Sequence, residues 1–405
     1  MRIRSITYFF DPAHDSGATV FDTFRDHSNN LRRNLAAAGY QVQSVRLATT
    51  PFSLWLDLGD ESKALQQVSE LCRRAHSADF DYISMGPCGV NDRAATSFIP
   101  AMLALSPMLF TGMHLVDAQG RISLADITDC AGLIKQITTI EANGFANLRF
   151  AALANVKPFT PFFPAAYGAA GERAFSFAME CADVAQETFK QAEDINAGCH
   201  TVCAIFTEHA RKMEDLIEKT SSSVPIIFKG FDFSLAPYPE DWCSFGKALE
   251  ALGVAQIGSA GSVAAAAILA GMLEAGTWKK SGFNGLMMPI LEDSILAERS
   301  GAGLLSIYDV LQYSSLCGTG LDTVPLSGDI EEEKIAALLL DVAALAVRLN
   351  KPLTARLMPI PGKKAGDAIE FDFAFFAKGK VLDYPYSGIQ KPLFAGETIQ
   401  IQPRR

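Results

Sequence analysis

The feature that most constrains this chain is an alternation of short apolar runs with longer stretches of helical period across its first 156 residues. An apolar run at 3–10 is broken by Asp11, Pro12 and His14. Val20, Phe21, Phe24, Leu31, Leu35 and Ala38 then recur at helical spacing until Gly39. Residues 42–47 alternate as a strand, and a helix over 63–78 leads into FDYISMG at 80–86. A helix over 94–104, a strand over 108–115, a helix over 124–142 and the strand LRFAALANV at 148–156 continue the series. Successive strand, helix, strand units imply parallel pairing with right-handed crossovers.

The strand at 148–156 runs into KPFTPFFPAAYG, whose prolines exclude a helix interior because each lacks an amide donor and clashes with the preceding turn. This segment is either a packed lid or a rigid surface crossover, with Lys157 and Tyr167 as its polar groups. Helices are expected over 172–192 and 196–219, then a strand from Val224 through FDFSLAP. An Ala-rich helix ending near Glu274, the strand GLMMPI, helices at 294–299, 305–316 and 331–349, the strand LTARLMPI and the extended piece IEFDFAFF complete the chain. About ten strand candidates suit either a closed barrel or two packed sheets, and periodicity does not choose. Thr220 to Ser223 is the one plausible linker and is short, so residues 1–405 read as a single domain whose motif-rich half is about 224–376.

A net charge of −10 and the absence of a Lys/Arg stripe argue against nucleic acid as a partner. The longest apolar run, VAAAAILAGML at 263–273, falls short of the roughly 18 residues a membrane span needs. MRIRSITYFF is too short and too charged for a secretory signal and reads as a first strand, so a cytoplasmic protein is expected. The eight cysteines form no CxxC pair. Cys199, His200 and Cys203 share a helical stretch, and small buried residues of an amphipathic helix account for them.

Four patterns place polar side chains where apolar runs meet turns: FDFSLAPYPEDW (231–242), LMMPILED (286–293), LCGTGLDT (316–323) and ARLMPIPGKKAGD (355–367). Cys317 precedes two glycines on a loop, where a thiol is either a tunable nucleophile or an inert buried residue. Glu292 and Asp293 are acid/base groups, ligands of a divalent cation, or the acidic first turn of the next helix. Asp232 and Asp322 face cleft or solvent, or cap backbone amides. Arg356 lies inside an apolar run and needs a carboxylate partner or an anionic ligand. Lys363 belongs to PGKKAGD, which lacks the Walker spacing and is either an anion anchor or a solvated turn.

Together DFSLAP, GSAGSVAAAA, GLMMPILED, CGTGLDT and TARLMPIPGKKAGDAIEF, with MRIRSITYFF and ANVKPFTPFFPAAY, resemble segments of the domain of unknown function 711 family. Its fold is similar to the barrel of pyruvate formate-lyase and other glycyl radical enzymes. The resemblance implies a ten-stranded α/β barrel and places Cys317 where those enzymes carry a cysteine on a central loop. SGIQKPLFAGETIQIQPRR contains Gly388 and Gly396 but no RVxGY-type motif, so no glycyl radical is expected. The expected function is an enzyme acting on a small anionic metabolite in the barrel mouth, with a homo-oligomeric assembly. Cys317, Asp232, Glu292, Asp293 and Asp322 would serve catalysis, and Arg356 with Lys363 would bind substrate. A metabolite-binding regulator without catalysis is the alternative.

Overall fold

The computed structural model describes residues 1–404 apart from 16, 18, 221, 223, 317, 387 and 390. The chain runs β1 (Arg2–Phe10), α1 (Thr19–Ala37), β2 (Val45–Thr49), α2 (Glu61–Ser77), β3 (Tyr82–Cys88), α3 (Arg93–Leu105), β4 (Leu109–His114), β5 (Arg121–Ser123), α4 (Leu124–Ile137) and β6 (Phe150–Ala154). It continues through β7 (Ala174–Glu180), α5 (Ala182–Gln191), α6 (Ile195–Glu218), β8 (Ile227–Ala236), α7 (Phe245–Glu250), α8 (Ser262–Ala275), α9 (Ser294–Gly301), α10 (Ile307–Leu316), β9 (Gly320–Ser327), α11 (Glu332–Leu349) and β10 (Leu353–Ile360). Helix starts follow local chemistry: Asp60, Asp92 and Asp194 each accept a backbone amide of the first turn of α2, α3 and α6. Asn350, in the left-handed region, ends α11.

Nine strands form one sheet in the order β8, β7, β1, β2, β3, β4, β6, β10, β9. The expected parallel units are present, since β1, β2, β3, β4 and β6 pair in parallel. The pairs β7/β8 and β10/β9 flank this block, each joined to it antiparallel. One end of the sheet therefore combines the N-terminal ends of five strands with the C-terminal ends of the strands beside them.

Strand alternation separates the two faces. Ile6, Tyr8, Leu47, Ile83 and Met85 share a buried cluster with Phe24, Leu31, Val68 and Ile99 of the helices. On the inner face, Phe9, Ala48 and Phe110 pack against Phe163 and Ala166 of the Pro-rich segment. Of the two readings of that segment, this packing excludes the surface crossover and agrees with a packed segment. β6 and β7 are separated by four intervening strands, about 24 Å along the sheet at strand spacing. Residues 155–173 span that distance across the inner face, where Thr7 and Ser84 donate hydroxyl hydrogen bonds to the Pro161, Pro164 and Ala166 carbonyls.

Sequence expectations change at three segments. Residues 172–192 are strand β7 followed by α5, because Phe175, Phe177 and Met179 follow a two-residue period along the β1 edge. GLMMPI forms no strand: its neighbourhood meets β8 through a Phe231–Lys280 bridge and β9 through a Pro289–Asp322 bridge. Left-handed backbone at Gly282 and Asn284 interrupts any ladder between them. The described residues thus form a nine-stranded sheet, and no continuous ladder joins β8 to β9 among them to close the expected ten-stranded barrel. Of IEFDFAFF only Ile369 pairs as strand, opposite Gly379.

Gly320 starts β9 at φ +100°, and a Cβ there would lie 2.0 Å from the Thr354 carbonyl oxygen. Gly320→Ala should lower unfolding free energy by about 2 to 4 kcal/mol, read by chemical denaturation, because strain and the clash fall on the β9/β10 pairing.

Candidate functional site

A cavity of about 350 Å³ opens at the mixed end of the sheet. Its wall carries Arg4 of β1, Arg46 of β2, Arg149 just ahead of β6 and Arg356 of β10. Apolar surface comes from Phe162 and Phe163 of the inner segment, Phe110, Met287, and Phe373 and Phe375 of the C-terminal aromatic stretch.

A chain of buried ion pairs runs behind this wall. Arg356 Nε donates to Asp322 Oδ1 at 2.6 Å and Nη2 to Glu292 Oε1 at 2.7 Å. Arg4 Nη2 donates to the other Glu292 oxygen. Arg356 and Glu292 are each 4% exposed and Asp322 1%, so each charge needs these partners. Burial pushes the Glu292 carboxyl up, but Arg4 and Arg356 outweigh it and hold it below the ordinary range. Burial raises Asp322, opposed by Arg356. The Arg356 guanidinium also lies 5.5 Å from the Phe162 ring centre.

Arg46 is placed differently. Its Nε donates to Ser44 Oγ at 2.9 Å, and among the described residues no carboxylate pairs with it. It sits over the rings of Phe163 and Tyr82, at 5.1 and 5.7 Å. Burial first, then the nearby Arg4, lowers its pKa to about 10. Arg149 is anchored instead, donating to Glu141 and to the carbonyls of Leu103, Ser106 and Leu109.

The residues singled out by sequence are dispersed by the fold. Glu292, Asp322 and Arg356 come together as one network. Asp232 reaches the cavity wall, yet its oxygens accept from the amides of Ser234, Phe283 and Asn284 and from the Ser234 hydroxyl, which shapes the 281–285 turn. Asp293 lies away from the cavity. It caps α9 through the Ile295 and Leu296 amides and accepts from Ser244 Oγ and the Phe245 and Gly246 amides at the start of α7. Lys363 sits on the exposed turn after β10 and is not part of the cavity wall. Cys317 lies outside the described residues. Lys157 is exposed, and Tyr167 donates to the Val156 carbonyl, its pKa raised to about 12 by burial.

The adjacent carboxylates Glu292 and Asp293 thus face guanidiniums and amides respectively, a donor set that does not hold a divalent cation. Among the described residues no group of three or more His, Cys, Asp or Glu side chains is gathered as a metal site. Arg4, Arg46 and Arg149 were not singled out by sequence. Their signal was the one that marked Arg356, an arginine inside or at the head of an apolar strand. No described helix is long and apolar enough to cross a membrane.

A family model described as Uncharacterised ACR (DUF711) matches residues 1–377, which include every residue of the cavity wall. A UPF0210 protein of Pyrobaculum aerophilum is 28% identical over 346 residues, 81% of this chain and 76% of its own length. One from Acetivibrio thermocellus is 25% identical over 396 residues, covering 91% and 88%. One from Methanocaldococcus jannaschii is 26% identical over 355 residues, covering 82% and 78%.

Because the folded-state pKa of Glu292 is depressed, its contribution to stability is present above the unfolded value of about 4.3 and is lost as pH falls through the folded value. Glu292→Gln should cost about 3 to 5 kcal/mol near neutral pH, since Arg4 and Arg356 lose their shared partner. The cost should shrink in acid, as read by paired denaturation curves of wild type and variant across that range.

Proposed function

This chain belongs to the Uncharacterised ACR (DUF711) family, and from the geometry of its charged cavity we propose that it is an enzyme acting on a small anionic metabolite bound there. The carrying observation is the convergence of four guanidinium groups on one concave wall that also carries Phe and Tyr rings. Arg46 receives the anion. Arg4 and Arg356 hold Glu292 ionised, and its fixed charge in turn orients those two guanidiniums at the wall. Asp322 orients Arg356, and Asp232 holds the 281–285 turn against the cavity. Asp293 and Lys363 take no part in this scheme, because one is saturated by amides and the other is remote. Cys317 is assigned the nucleophile's role. Residues 279–290, hydrogen-bonded to both outer strands, would act as a tenth strand in a barrel-like arrangement whose mouth is the cavity.

A binding protein without catalysis is the second reading. It is favoured by the saturation of Asp232 by amides and a hydroxyl and of Glu292 by two guanidiniums, which leaves neither carboxylate free to take a substrate proton.

A thermal-shift panel of small carboxylates and phosphates tests the site. A true ligand at a hundredfold over Kd adds about 2.7 kcal/mol to the native state, and Ala178→Phe, which fills the wall at a small residue, should abolish the shift. If no compound raises the wild-type melting temperature, the reading fails. Turnover of a stabilising compound, followed by NMR, separates enzyme from binder, and a full rate in Cys317→Ala would remove the nucleophile assignment.

A further inference from the structure

We propose that the cavity selects a monocarboxylate on a flat apolar or aromatic body, with the Arg46 fork receiving the carboxylate. This rests on the small-anion reading of the same cavity and narrows it to one charge and one shape.

The charge follows from the pairing around the wall. Arg356 is held by Asp322 and Glu292, Arg4 by Glu292, and Arg149 by Glu141 and three carbonyls. Arg46 spends only its Nε, on Ser44, and its two terminal nitrogens carry no hydrogen bond among the described residues. A planar fork with both outer nitrogens open matches the two oxygens of a carboxylate. Four guanidiniums on the wall stand against Asp81, Glu141, Asp232 and Glu292. A second ligand charge would meet these carboxylates with no further unpaired guanidinium to receive it. A dianion is therefore disfavoured.

The shape follows from what surrounds the fork. Tyr82, Phe110 and Phe163 form an edge-to-face set beside Arg46, with ring centres 5.3 Å apart for Tyr82 and Phe110 and 5.4 Å for Phe110 and Phe163. Phe162, Met287 and Phe373 supply apolar surface elsewhere on the wall. Since a cavity of about 150 Å³ holds benzene, 350 Å³ has room for one ring, a short linker and the carboxylate.

The probes are phenylacetate, its neutral amide phenylacetamide, acetate and phenyl phosphate, titrated calorimetrically against the full chain at a mildly alkaline pH that keeps phenyl phosphate a dianion. Phenylacetate should bind at least about tenfold more tightly than each of the other three. Arg46→Gln should lose at least that factor, and Arg46→Lys should retain part of the affinity. The ligand-free melting temperature of Arg46→Gln should match or exceed that of wild type, because a half-buried cation without an acid partner has been removed. Equal or tighter binding of phenyl phosphate or acetate would overturn the inference, as would unchanged phenylacetate affinity in Arg46→Gln. If wild type binds none of the four probes the inference also falls, while the small-anion reading falls only if the wider panel fails too.

Discussion

The buried chain Arg4, Glu292, Arg356, Asp322 is the interaction on which the rest of this arrangement depends. It ties the first strand, the segment ahead of α9 and the last two strands of the sheet into one end of the molecule. Desolvating four charges is costly, and mutual attraction offsets that cost only when geometry and hydrogen bonding are complete. Here Glu292 has a guanidinium on each oxygen, and Arg356 has a carboxylate on each of two nitrogens. The network therefore constrains where β1, β9 and β10 can sit relative to one another, whatever its net contribution to stability.

The sheet order explains why such a network can form. Two antiparallel junctions turn β7, β8, β9 and β10 around relative to the central block. Arginines near the starts of β1 and β2 thereby share one end of the sheet with Arg356 of β10. The same order forces residues 155–173 across the inner face, and their prolines and aromatic residues suit that position. Pro needs no amide partner, while Phe162 and Phe163 present rings to the guanidiniums of Arg356 and Arg46. The packing that fills the inner face also shapes the cavity wall.

Much of the element pattern was legible because it depends on local period and end chemistry. The parallel units through β6, the helices capped by Asp60, Asp92 and Asp194, and α11 follow from apolar spacing and side-chain acceptors. β7 was not legible, because AFSFAME joined to a helical stretch carries apolar residues compatible with both periods, and pairing with β1 decided between them. Site residues divide similarly. An arginine within an apolar strand announces a need for a partner, which marked Arg356 and applied equally to Arg4 and Arg46.

What the sequence by itself determined is the inventory: which segments are strands or helices through β6, and that Arg356 must find an anion. Tertiary structure decided the assignments. Glu292 and Asp293 are neighbours of similar chemistry, yet one faces two guanidiniums and the other the amides of two helix starts. Arg4 and Arg46 both arise in strands of the central block, yet only Arg4 acquires a carboxylate. The physical reason is that a charge's partner in a dry interior is chosen by which distant strand ends the sheet order brings within about 3 Å, and local sequence carries no record of that distance.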